Sequence, residues 1–300
     1  MDRLAALKLL VVTGKGGVGK STLAASLGLA LARRGKRTLL LEIDPRESLY
    51  QLLDVPPTGG QFEKVLDGLW VQNLSPRDVL DQVVRERLHI EMLAKRLLKS
   101  PIYRHFAEAA PGLKEVAALG HALRVIRGHA GSAAPQVDLV VLDAPATGHG
   151  VSMLAAPSLV ADVIHDGPFG HMGGELASFI ADRERCGILL ATAAEEMPVQ
   201  EALELIESLA ERLERRPEVL MVNGLYPEPS AGAAHASDDP TLDLWMRRRR
   251  INDRELGRLA EAWHGPSVEL PLLPLDRGRQ LAETLSHALE GELEAQSSWN

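Results

Sequence analysis

Nine consecutive residues, Gly14-Lys15-Gly16-Gly17-Val18-Gly19-Lys20-Ser21-Thr22, constrain this chain more than any other feature. They fit G-x-x-x-x-G-K-[ST], a glycine loop that requires a strand before it and a helix after it. Both flanks are present. Leu9-Leu10-Val11-Val12 reads as a short strand buried on both faces. Leu23 to Arg34 is rich in helix formers and is closed by Gly35. The glycines let backbone N–H groups approach phosphate oxygens without a Cβ in the way, and the helix N-terminus adds partial positive charge at the same spot. Lys20 is expected to reach the β- and γ-phosphates of a nucleotide, and Ser21 to place its hydroxyl on Mg²⁺.

The rest of the chain alternates strands and helices around this loop. Lys36 to Asp44 reads as a second strand, apolar over 38–43 apart from Glu42. Asp44 ends it, facing the ligand crevice. It either orients the attacking water or senses the γ-phosphate, or it N-caps the segment opened by Pro45; the roles can coexist. Asp138 to Asp143 is the clearest strand. Asp143 at its end matches a Walker B acid, which holds Mg²⁺ commonly through water, and the following glycines allow a loop that tracks the γ-phosphate. Further strands are expected over 69–74, 187–192, 218–223 and 268–274. Asn223, ending one of them, either pairs with a purine edge or forms a turn.

Helices are expected from Asp78 to about Leu98, with Val79, Leu80, Val83, Val84, Leu88, Met92 and Leu93 on the apolar side, then from Pro101 to Ala110 and from Leu113 to about Gly128. Residues 151–186 read as mostly helical, broken at Gly167-Pro168 and from Gly170 to Gly174. Later helices fall over 199–215, 242–263 and 278–293, and Ser230 to Asp239 reads as a mobile loop. The fold class is therefore α/β: a P-loop NTPase with a doubly wound, mainly parallel sheet flanked by helices. Residues 1–300 form one domain, with 76–130 and 151–186 as an inserted helical subdomain. The helices of the 76–130 block either present a partner surface or simply cover the sheet.

Composition excludes several classes. A net charge of −8 argues against a general nucleic-acid binder, and 4% aromatic residues against base stacking as a main activity. Arg247-Arg248-Arg249-Arg250 then reads as a solvated or inter-subunit face. Cys186 is the single cysteine, so neither a disulfide nor a cysteine zinc site forms within the chain. That suits a cytoplasmic protein. The N-terminus has no signal-peptide layout, and no stretch approaches the ~20 apolar residues of a membrane span, which leaves peripheral membrane association open.

Lys15 is not required by a plain phosphate loop. The string KGGVGKST resembles the deviant loop of MinD/ParA, nitrogenase iron-protein and ArsA-type ATPases, in which this lysine crosses a dimer interface and touches the partner's nucleotide. Three further features narrow the resemblance to the ArsA family, which includes the arsenite-pump ATPase subunit and the ATPase that targets tail-anchored membrane proteins. They are Asp44-Pro45 at a strand end, DAPATGH at 143–149 against the usual DTAPTGH, and EEMP at 195–198 before a helix. Pro111 to Glu115 resembles the family's PGIDE segment, and the resemblance covers about residues 8–290.

The resemblance implies ATP as ligand. It implies Lys15 as the signature lysine, Asp44 as the water-positioning acid, Asp143 as an aid to Mg²⁺, Gly148 as γ-phosphate sensor and Asn223 as adenine reader. It also implies an ATP-dependent dimer, with itself or a paralogous subunit, that hydrolyses ATP to ADP and phosphate and acts on a protein partner. Departures limit the transfer. Asp44-Pro45-Arg46-Glu47-Ser48 stands where DPAHS is usual, the stretch from Leu242 to Arg250 has no CxxC, and the segment after the TGH string is poor in methionine.

Overall fold

Strand β1 (Leu9–Thr13) sits inside the sheet because it is apolar on both faces. Leu9 and Val11 enter one core, Leu10 and Val12 the other, and all four are buried. The computed structural model describes residues 1–300 except 44–47, 58, 88–90, 102, 104, 106–109, 111, 146–149, 164–166, 229–239 and 298–300. Seven further strands follow: β2 (Thr38–Glu42), β3 (Glu63–Leu66), β4 (Leu69–Asn73), β5 (Leu139–Asp143), β6 (Cys186–Ala193), β7 (Val219–Leu225) and β8 (Ser267–Pro271). Among the described residues they form one sheet in the order β3-β4-β2-β5-β1-β6-β7-β8. Every pairing is parallel except β3 with β4. This is the α/β, doubly wound, mainly parallel arrangement of a P-loop NTPase.

Helices cover both faces. On one side lie α1 (Asp2–Ala6), α2 (Lys20–Arg33), α3 (Ser48–Leu53) and the C-terminal α11 (Arg279–Ser297), which close a core through Leu23, Leu27, Leu49, Leu52, Leu285 and Leu289. On the other lie α4 (Pro76–Arg87), α6 (Leu113–Ile126), α7 (Gly150–Val163), α8 (Gly167–Ala181) and α9 (Glu196–Leu213). Val79, Leu119, Leu154, Phe179 and Leu205 are among the residues they bury. Helices α5 (Glu91–Leu98) and α10 (Pro240–Ala262) complete the set among the described residues.

Four expectations change. The helix expected over 78–98 is two helices, and Met92 and Leu93 are not on a buried side: they are 80% and 50% exposed. The expected break from Gly170 to Gly174 is absent, and α8 runs through it. The glycines serve packing there. A Cβ on Gly173 would stand 2.8 Å from the Pro157 carbonyl oxygen of α7, so glycine lets the two helices approach closely. The antiparallel β3 is additional to the expected strands, although Asp67-Gly68, with Gly68 at φ 82°, carries the hairpin turn. The short α1 is additional to the expected helices. The helix expected over 101–110 and the loop expected over 230–239 lie largely or wholly outside the described residues.

A buried polar chain fastens the β3–β4 hairpin region to α6. His121 Nε2 lies 2.8 Å from Gln72 Oε1, and Gln72 Nε2 donates to the Gly60 carbonyl at 2.7 Å. Burial, with a smaller push from Arg124, lowers the His121 pKa to about 4, so the ring is neutral at pH 7. The unfolded chain takes up this proton near pH 6.5 and the folded one does not. Stability is therefore full above pH 6.5 and falls as the pH drops towards 4, by up to about 1.4 kcal/mol per pH unit. Thermal melts between pH 7 and 4.5 should show a steeper acid loss in the wild type than in His121→Gln; parallel curves would remove this role.

Candidate nucleotide site

The loop after β1 owes its shape to glycine. Gly14, Gly17 and Gly19 hold φ values of 145°, 86° and 88°, all on the side that other residues avoid. Helix α2 starts directly at Lys20 with Gly19 as its N-cap, and its first backbone bond runs from the Leu23 N–H to the Gly19 carbonyl at 3.0 Å. Space is as restrictive as φ. A Cβ on Gly14 would meet the Ala191 carbonyl oxygen of β6 at 2.2 Å, and one on Gly19 would meet Asn223 Nδ2 at 2.2 Å. Lys20 is buried, and its Nζ donates to the Lys15 carbonyl at 2.8 Å, which keeps the ammonium folded across the loop. Ser21 and Thr22 are partly exposed in the first turn of α2, and Gly16 is exposed on the loop with Gly17.

Asp143 ends β5, the neighbour of β1, and pairs in register with Val12. Its side chain lies on the same face as that of Val141, two residues back, which belongs to the α2 core. Asp143 is therefore buried on the side of the sheet from which α2 starts. A serine hydroxyl and a carboxylate brought to one sheet face by the loop and β5 are the hard oxygen donors that Mg²⁺ prefers, so the residues present fit that ion.

Two sequence candidates have definite partners. Asn223, in β7, donates from Nδ2 to the Val18 carbonyl at 3.1 Å. One of its amide hydrogens thus holds the phosphate loop. Lys15 reaches outward from the loop rim, and its Nζ lies 3.5 Å from Glu201 Oε1 of α9, with the two side chains 34% and 29% exposed. Neither contact carries a sequence signal. Asp44 and Gly148 lie outside the described residues. Their flanks converge nonetheless: Ile43 and Pro145 line one cavity of about 160 Å³, together with Pro76, Lys114, Glu115, Ala118 and Met153.

From sequence, Glu42 is only an exception in an apolar strand. In the structure it is fully buried and accepts N–H groups from the start of α3. The arginine run on α10 is spent locally. Arg247 pairs with Asp243 at 2.6 Å, Arg248 with Glu195 at 3.7 Å, and Arg249 with Asp253 at 2.7 Å, which supports a solvated face. Cys186 is buried, and desolvation pushes its thiol up to about 12. Among the described residues no group of three or more His, Cys, Asp or Glu side chains could hold a metal, and no helix is long and apolar enough to cross a membrane.

Residues 7–166 match the family described as anion-transporting ATPase. ATPase BagA of Mycobacterium tuberculosis (strain ATCC 25618 / H37Rv) is 35% identical over 219 residues, covering 70% of this chain and 63% of that protein. The arsenical pump-driving ATPase of Acidiphilium multivorum is 27% identical over 258 residues, covering 80% and 42%. ATPase ASNA1 homolog 2 of Paramecium tetraurelia is 28% identical over 159 residues, covering 51% and 45%. The chain thus spans less than two thirds of the length of each of these relatives.

Proposed function

This chain belongs to the anion-transporting ATPase family, and from that premise we propose that it is an ATP-hydrolysing dimeric switch acting on a protein partner. The observation that carries the reading is the glycine loop itself. Its three left-handed glycines, buried Lys20 and neighbouring Asp143 form one cradle at the carboxyl ends of β1 and β5. The loop amides and the α2 N-terminus bind the phosphates, and Lys20 turns from the Lys15 carbonyl to the β/γ oxygens. Ser21 and Asp143 would hold Mg²⁺, which supplies charge neutralisation on the phosphates. Asp44 orients the attacking water, Gly148 senses the γ-phosphate and Asn223 reads adenine while bracing Val18. Lys15 leaves Glu201 and reaches the nucleotide of the second copy. Hydrolysis gives ADP and phosphate.

The partner surface is assigned to the helical subdomain of residues 76–130 and 151–186. Met92, Leu93 and Leu97 of α5, and Leu159 and Val163 of α7, are exposed there at 42–80%. Arsenical pumping, the role of the Acidiphilium multivorum relative, does not suit this chain. A soft metalloid needs several thiolates, and Cys186 is one buried thiol. A second reading, a nucleotide-holding subunit of a heterodimer with little turnover, is favoured by Arg46-Glu47 in the segment after Asp44.

The test is light scattering after size exclusion, with ADP and with ATP plus Mg²⁺, alongside phosphate release. The wild type is expected to dimerise only with ATP and to turn over. Asp44→Asn is expected to dimerise but to lose turnover by about 10²–10⁴-fold. A monomer in both states with no phosphate release favours the heterodimer, and full turnover in Asp44→Asn removes Asp44 from the chemistry.

A further inference from the structure

We infer that Glu42 is a positioning residue for ATP turnover, because it ties together both ends of the short span that carries Asp44. Glu42 is the last residue of β2 and has no exposed surface. Its Oε1 accepts the Ser48 N–H at 2.7 Å and the Leu49 N–H at 3.3 Å, and Oε2 lies 3.2 Å from the same Leu49 nitrogen. Oε2 also accepts from Asn73 Nδ2 at 3.2 Å, and the Glu42 carbonyl accepts the Leu74 N–H at 2.7 Å. One residue therefore fixes the first turn of α3 to the end of β2 and to β4.

Only Ile43 and residues 44–47 separate Glu42 from Ser48, so the contact pins both ends of that span and keeps them from separating. Register sets the direction. Asn73, Glu42 and Asp143 are successive cross-strand partners on β4, β2 and β5. In-register partners on parallel strands point to the same face, which here is the face carrying α2. The anchor thus lies in one row with the carboxylate proposed to aid Mg²⁺. A carboxylate fits this position because it accepts several N–H groups at once and complements the exposed amides of a helix start. An amide or alkyl side chain cannot do both.

This role rests on the reading of Asp44 as the water-positioning acid. A group held about 1 Å from its productive place loses up to about 100-fold in rate. Glu42→Gln should therefore lower kcat about 10- to 100-fold while KM for ATP and the affinity for ADP stay within about twofold of wild type. A merely structural role would lower the melting temperature and leave kcat of the folded fraction unchanged. Unchanged kcat in folded Glu42→Gln, or a loss that falls on KM, overturns the inference. Should Glu42→Gln not fold, Asn73→Ala decides. It removes one donor and leaves both helix amides paired, and it is expected to lower kcat severalfold with KM unmoved; wild-type kcat there overturns the inference as well. Asp44→Asn, measured in parallel, separates the two levels. Full turnover in Asp44→Asn removes the underlying reading, whereas loss there with normal Glu42→Gln removes only the role of Glu42.

Discussion

Lys20→Ala is expected to abolish tight ATP binding and to lower kcat/KM for ATP by about 1,000-fold. Lys20 is buried in the first turn of α2, directly after a loop that holds three glycines at positive φ. In this structure it donates to the Lys15 carbonyl at 2.8 Å, a partner from the loop itself. Exchanging that neutral carbonyl for anionic phosphate oxygens adds ion pairing to a hydrogen bond whose donor already carries charge. Alanine removes the charge at the point where negative charge gathers as the γ-phosphoryl group departs. Lys20→Arg is not expected to restore function, because a planar guanidinium is larger than the space a folded ammonium occupies. Titration calorimetry with ATP and Mg²⁺, beside phosphate release, measures both effects. Wild-type turnover in Lys20→Ala would falsify the assignment of the loop as the nucleotide site.

Gly14→Ala is expected to destabilise the fold by about 3 kcal/mol or more, and to displace the loop enough to weaken nucleotide binding even where the protein remains folded. Two independent effects add. The φ of 145° is one that a residue with a Cβ adopts only under strain. The new Cβ would also stand 2.2 Å from the Ala191 carbonyl oxygen. That oxygen belongs to β6, hydrogen-bonded in register beside β1, so it is backbone and does not swing aside as a side chain does. For a chain of 300 residues, about 3 kcal/mol corresponds to a melting shift of about 5 °C. Gly17→Ala provides the comparison. Its φ is also positive, at 86°, but among the described residues no atom beyond its chain neighbours lies within 4 Å of its added Cβ. Only the strain then applies, and the loss should be about 1–3 kcal/mol. Equal shifts in the two variants would show that contact with Ala191 contributes nothing.

The sequence alone carried the order and type of most elements. The phosphate loop was legible because its requirement is local: glycine where φ turns positive, lysine and serine at a helix start. The strands at 9–13 and 139–143 were legible because burial on both faces demands an unbroken apolar run. Elements whose signal is weak or shared read differently. A glycine run within α8 looks like a break from sequence, since the loss of helix propensity is visible there while the approach of Pro157 is not. The apolar stripe of residues 78–98 looks like one helix, since periodicity does not say whether a neighbour exists to cover Met92 and Leu93.

The contacts that complete the site arise from tertiary packing. The bond from Asn223 to the Val18 carbonyl spans 205 residues of chain, and it exists because β7 and the loop after β1 end at the same edge of one sheet. Lys15 faces Glu201 because α9 follows β6, the neighbour of β1. Glu42 gathers three N–H donors because β4 and α3 close around the end of β2. Periodicity and motif spacing describe how a segment relates to itself. Which strands become neighbours, and therefore which polar groups meet in a buried row, is set by the packing free energy of the whole chain, which no single segment contains.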